Sequence, residues 1–222
     1  MDRCPFIKMR GDEERMSGVG SGAVQKRERS DAARSREKVM DAARRLFGER
    51  GVDTVSMHEI GREAGVGQGT LYRRFEHKGA LCSALLGEKI EDFQEESRRR
   101  VGSRGAALGR LKWFLGRLAR FNEENGALLG AVRDASGGGR RIEMHRNPFY
   151  EGLRELVIEL LEEAKEAGDM RWDLDSECLA DTLLAALNID LYVYQRQELG
   201  MDRERIVGSL RSVVEGFRAT KS

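Results

Sequence analysis

Between residues 68 and 78 the chain sets out Gln68, Gly69, Thr70, Tyr72, Arg73 and Lys78, a group suited to hydrogen bonding with polar edges and anions. The Arg73 guanidinium offers paired N–H donors that match the O6/N7 edge of guanine, and the Gln68 amide can pair with adenine. Thr70 and Tyr72 carry hydroxyls suited to phosphate oxygens, contacts that fix register without reading sequence. Gly69 has no side chain and permits close approach. Lys78 adds a cation at a helix start, where the backbone also favours a phosphate. His77 beside it could assist or merely cap the helix, and Arg74 points between that face and solvent.

Those residues need short helices to present them. Ser56 followed three residues later by Glu59 is a capping box, in which each side chain satisfies the other's free backbone N–H. It predicts a helix over 57–64, stopped at Gly65, then a tight turn and a second helix over 68–75. Ser56 itself joins the candidate contact set. At 100° per residue Leu71 and Phe75 share one face and form a small core with Ile60, Ala64 and Val66. The opposite face is Gly69 and Arg73, flanked by Thr70 and Tyr72. An amphipathic helix over 34–51, with Val39, Ala43, Leu46 and Phe47 on one side, precedes the pair. Helix, glycine turn, helix is the unit that places its second member in a DNA major groove.

Residues 54–81, TVSMHEIGREAGVGQGTLYRRFEHKGAL, resemble the TetR family of transcriptional regulators, on the spacing of Ala64, Gly65, Val66, Gly69, Thr70, Leu71, Tyr72, Phe75 and Lys78. The resemblance implies a DNA-binding repressor with a phosphate contact at Lys78. It also implies a homodimer on double-stranded, near-palindromic operator DNA, and release by a small-molecule effector. Gly61 departs from a frequent alanine and is expected to lower local helix stability by about 1 kcal/mol.

Composition bounds the remainder. With 39 Lys and Arg against 38 Asp and Glu the net charge is +1, so a nucleic-acid surface has to come from local segregation of charge. Charged residues at 35%, two prolines and runs of Ala, Leu, Glu and Arg predict an all-α chain. The expected order is a disordered tail over 1–33, a three-helix helix-turn-helix domain over 34–78, and a larger helical effector-binding and dimerisation domain over 79–222. Lys26, Arg27, Arg29, Arg34 and Arg36 form a basic arm that is either solvated or set against phosphate. Cys4, Cys82 and Cys178 lack metal-ligand spacing and a disulfide framework. His58, His77 and His145 are scattered, and neither a phosphate-binding glycine loop nor a nucleophile elbow is present. The expectation is therefore no enzyme, no cofactor and no metal. No apolar run approaches a membrane span or a signal segment, which makes the cytoplasm the expected compartment.

Beyond residue 78, helices are expected over 78–101, 106–124, 127–135, 148–168, 177–199 and 202–219. The segment 177–199 is apolar nearly all round, which predicts burial on two sides. The last carries one apolar stripe. In the resembled family these last two helices pair with their copies as a four-helix bundle. Leu187, Leu191, Ile206, Leu210, Val213, Val214 and Phe217 are the expected dimer interface, with an intrachain core as the alternative. Phe114, Phe121, Met144, Phe149, Tyr150, Asn188 and Tyr192 are ligand-pocket candidates. Asn188 and Asp190, polar among apolar neighbours, need partners in the dimer contact or a cavity. Trp113 shares its face with Arg110, Arg117 and Arg120 and could lie stacked under arginine. Two other readings stand beside the repressor. One is a ligand-independent DNA-binding dimer whose C-terminal domain binds a protein partner or only dimerises; the other is a thiol sensor using Cys82 or Cys178.

Overall fold

The computed structural model describes residues 21–135 and 148–219, of which 21–29 by backbone alone. In chain order the described helices are α1 (Ser21–Arg50), α2 (Met57–Glu63), α3 (Gln68–Arg74), α4 (Lys78–Val101), α5 (Ala107–Ala135), α6 (Pro148–Glu166), α7 (Ser176–Ala185), α8 (Ile189–Gln197) and α9 (Arg203–Gly216). The described residues hold no strand, only an isolated antiparallel bridge between Met170 and Arg218. The fold is all-α. The chain divides into two compact units, Met1–Leu85 and Leu86–Ser222.

In the first unit α1 starts at Ser21, so it takes in residues 21–33, which composition had placed in a disordered tail. The reason is local: from Ala23 to Phe47 the sequence is free of glycine and proline and rich in Ala, Arg, Lys, Glu and Gln, all strong helix formers. Val39, Met40, Ala42 and Ala43 of α1 are buried together with Val52, Val55, Met57, Ile60, Leu71, Phe75 and Leu81. Arg36, expected on the basic arm, instead lays its guanidinium 5.0 Å from the Phe75 ring centroid.

The second unit departs from expectation at two helix ends. First, α5 is one helix of 29 residues, running through Gly126 where a stop had been expected. Each interior glycine lowers helix stability by about 1 kcal/mol. The burial of Phe121 and Leu128 on either side of Gly126 exceeds that, at about 1.5–3 kcal/mol for each large apolar side chain. Second, the segment expected as one helix over 177–199 breaks between α7 and α8. Leu187 N–H and Asn188 N–H turn back to the carbonyls of Leu184 and Ala185, at 3.0 and 3.1 Å. Asn188 then caps α8, its Oδ1 accepting from Asp190 N–H at 3.0 Å. The Leu187 carbonyl, left without a helical partner by the break, accepts from Asn122 Nδ2 of α5 at 2.7 Å.

Around α5 the core is aromatic. Phe93 of α4 sits 4.9 Å from Phe121, 6.0 Å from Phe114 and 6.0 Å from Phe149, ring centroid to ring centroid. Ile206, Val207, Leu210 and Val214 of α9 are buried where α9 packs on α5. Glu123 of α5 accepts from Arg196 Nη2 at 2.6 Å and Arg203 Nη1 at 2.8 Å, tying α8 and α9 to the same helix.

Candidate nucleic-acid interface

The two short helices owe their placement to chemistry that sits between them. Ser56 caps α2: its Oγ accepts from Glu59 N–H at 3.2 Å, and its own N–H donates to Glu59 Oε2 at 2.9 Å. The Ser56 N–H and the Ser56 hydroxyl, which donates to Glu59 Oε2 at 2.7 Å, together with Arg50, hold the Glu59 carboxyl well below its ordinary range, at about 2. Gly65 closes α2 with φ +64°, a left-handed conformation that glycine reaches without steric penalty. Val66 N–H returns to the Gly61 carbonyl at 2.9 Å. Leu71 and Phe75 then bury one side of α3.

Gly69, Tyr72, Arg73 and Arg74 are exposed, while Gln68 and Thr70 are half-buried. Arg73 meets no carboxylate among the described residues, and its Nη2 lies 3.4 Å from Thr70 Oγ1. Three residues have further partners. Gln68 Nε2 donates to the His58 carbonyl at 3.3 Å, so part of the amide serves the α2–α3 contact. Lys78 is half-buried, with Nζ 3.4 Å from the Asp53 carbonyl and 5.9 Å from the Phe47 ring centroid. Ser56 is occupied by the capping box. His77 accepts from Ala80 N–H at 3.2 Å and so caps α4.

Gly61 has a packing reason that its helix propensity conceals. A methyl group there would stand 2.7 Å from Gln68 Nε2 and 3.1 Å from Leu71 Cδ2. Glycine at this position is what lets α3 close on α2.

The match to known proteins falls on this part of the chain. Residues 39–85 match the model of bacterial regulatory proteins of the tetR family. An HTH-type transcriptional regulator of Staphylococcus aureus is 27% identical over 167 residues, which is 75% of this chain and 85% of that protein. Over residues 39–85 the chain is similar to the TetR family of transcriptional regulators. Two solved structures share its fold. A TetR-family regulator from Pectobacterium atrosepticum is 19% identical with TM-score 0.68, covering 87% of this chain and 99% of that one. Thermus thermophilus FadR, a TetR-family repressor in complex with lauroyl-CoA, is 21% identical with TM-score 0.61, covering 84% and 97%. Among the described residues no helix is long and apolar enough to cross a membrane.

In the second unit the residues expected at a pocket and a dimer contact fall at buried, capping and exposed positions. Phe114, Phe121 and Tyr192 are fully buried. Phe149 is half-buried in the aromatic cluster, 5.7 Å from Phe121. Tyr150 donates to Asp181 Oδ1 at 3.3 Å, and burial, with Asp181 adding to it, raises its phenol above the usual range. Asn188 is the α8 cap, and Asp190 is exposed and paired with Arg133 rather than buried among apolar groups. Met144 lies outside the described residues. Trp113 meets Arg100 of α4, 5.9 Å from its centroid, whereas Arg117 lies over Phe93 at 5.3 Å.

Of the expected dimer set, Leu187, Ile206, Leu210 and Val214 are buried inside the chain's own core. On α9 the buried part of that stripe packs on α5. Leu191 and Val213 stay exposed, at 41% and 45%, beside exposed Tyr194 and Leu199, and Phe217 is half-buried. Cys82 is buried, and that burial pushes its thiol up, the reverse of what a reactive thiolate needs.

Sequence reasoning missed Phe93, Asn122 and Glu123, which organise the second unit. The signal for Phe93 was present, since Cys82, Leu85, Leu86, Phe93 and Val101 recur at helical spacing along α4. Asn122 and Glu123 left no such trace, because their partners are far away in the sequence.

Proposed function

We propose that this chain is a repressor that holds a near-palindromic operator as a homodimer through α3 and leaves it when a small molecule binds within residues 79–222. The observation carrying the DNA part is the outward side of α3, where Arg73 is exposed and free of any carboxylate partner while Leu71 and Phe75 anchor the helix from behind. Arg73 reads a guanine edge, Gln68 the end of the half-site, and Thr70, Tyr72 and Lys78 position the backbone. Gly69 allows the approach, and Ser56 orients α2. The reading unit is residues 34–78. Its two copies face half-sites about one helical turn apart, roughly 34–36 Å.

The dimer contact is assigned to the apolar groups left outside the core, Leu191, Val213 and Phe217, with Tyr194. Release by an effector is supported by the Thermus thermophilus relative, whose fold is shared and which was solved with lauroyl-CoA. The lining is assigned to Phe114, Phe121, Phe149, Tyr150 and Tyr192.

One observation favours a second reading. Phe93 packs against Phe114, Phe121 and Phe149, and Phe121 against Phe149, between α4, α5 and α6, as in a core that needs no ligand. On that reading the chain is a ligand-independent dimer. Selection of operator DNA from a random pool, followed by titration of the selected duplex with and without candidate effectors, separates the two. An effector that binds equally well with and without operator removes induction, since coupling between two ligands is reciprocal.

A further inference from the structure

We infer that Lys112 on α5, with Arg211 and Arg218 on and just after α9, forms an anion site for a phosphoryl group, separate from the reading helix and from the aromatic core. The site is built by close approach of two helices. Gly116 lies one turn beyond Lys112 on α5, and it is bare enough for the Arg211 guanidinium to lie across it: a methyl there would stand 3.2 Å from Arg211 Nη2 and 3.5 Å from Val207 Cγ1. Lys112 Nζ and Arg218 Nε both pair with the same carboxylate, Glu215. Arg211 pairs with no carboxylate among the described residues.

Two of the three cations therefore share one carboxylate and the third has none among the described residues, a local excess of two positive charges. Lys112 is not a freely solvated surface lysine, since its side chain is only 19% exposed. Burial, with Arg218 and Arg211 close by, holds its ammonium below the usual lysine range despite the Glu215 pair. An isolated cation on a helix surface swings into water; these are held together by packing and a shared partner. A group with two negative charges and several terminal oxygens matches that excess, and guanidinium edges with an ammonium offer the donors its oxygens take. A phosphate monoester or diphosphate has those properties. A single carboxylate does not balance the charge.

The test is titration of the full chain with inorganic pyrophosphate and with phenyl phosphate, at constant ionic strength in chloride, by calorimetry. Saturable binding is expected. It should weaken at least tenfold in Lys112→Met and in Arg211→Gln, and stay unchanged in Arg120→Gln, an exposed cation on the same helix. Gly116→Ala keeps every charge and displaces the Arg211 guanidinium, so it should weaken binding as well. Preference for phenyl phosphate would identify the anion as part of an organic molecule, and preference for pyrophosphate a free diphosphate; both support the site. Equal affinity in wild type and all variants overturns it. So does a change of oligomeric state in Lys112→Met by sedimentation with anion binding intact, because the cations would then serve an acidic group of a second copy.

Discussion

The helix pair α2–α3 and the broken pair α7–α8 face the same difficulty, backbone groups left open at a helix end, and they resolve it over very different distances. Ser56 and Glu59 close the start of α2 within four residues. The break before α8 is closed in part by Asn188 next to it, but the Leu187 carbonyl takes its donor from Asn122, 65 residues away in sequence. A unit closed locally holds its shape by local rules, and its outward face can change without disturbing its inner one. A unit closed across helices is cooperative: α5 carries the partner of the break, the aromatic core, the Glu123 clasp and the seat of α9 together, so damage at one place spreads.

The contrast predicts its largest effect at Leu210. It is buried, so Leu210→Arg places an unpaired charge in the core and should cost on the order of 4 kcal/mol, read as a collapse of the second unit's denaturation midpoint. Val213→Arg, one turn along the helix but 45% exposed, should change stability by less than about 0.5 kcal/mol while splitting the proposed dimer in sedimentation. A folded Leu210→Arg protein would contradict the packing of α9 on α5.

On the reading helix, Arg73→Ala should lose about 1–3 kcal/mol of discrimination at one or two base positions and leave the melting temperature nearly unchanged. Lys78→Ala should weaken all DNA alike and flatten the salt dependence. Competition binding across single-base operator variants distinguishes them, and identical profiles would dissolve the division between reading and positioning.

Asn122→Ala leaves the Leu187 carbonyl without its donor inside the second unit and should destabilise it by about 1–3 kcal/mol in urea. Hydrogen exchange should quicken around residues 186–190 before elsewhere. Uniform loss of protection would mean that the break is not a distinct point of weakness.

The smallest effect is at the α2 cap, where Ser56→Ala should cost about 1 kcal/mol. The Glu59 carboxyl is depressed from about 4.5 to about 2 in the fold, so the stability it contributes is present above about 4.5 and lost as the pH falls toward about 2. In Ser56→Ala the hydroxyl bond is lost while the backbone N–H of residue 56 stays, so that acid loss should be shallower; an unchanged slope would assign the depression to that N–H and Arg50 without the hydroxyl.

The reach of each closure also governs what could be read from the sequence. The capping box, the Gly65 turn and the alternation of Leu71 and Phe75 with Gly69 and Arg73 are short-range patterns, and the structure has them in place. The apolar stripe of α9 was visible as a stripe, but not which surface it meets; periodicity reports a buried face without naming its neighbour. The unbroken α5 and the broken α7–α8 segment misled for the same reason, since the contacts deciding them, through Phe121, Leu128 and Asn122, come from other helices. Gly61 looked like a defect because propensity counts the backbone alone.

That glycine bears on how the regulator's preference could drift over generations. A single methyl at position 61 would crowd the Gln68 amide off the His58 carbonyl and turn a half-occupied donor loose on the outward side of α3. On the proposed function, what α3 offers to an operator would then be altered from behind, by a buried residue on another helix. Operator preference would in this way be heritable at a position behind the proposed contact face.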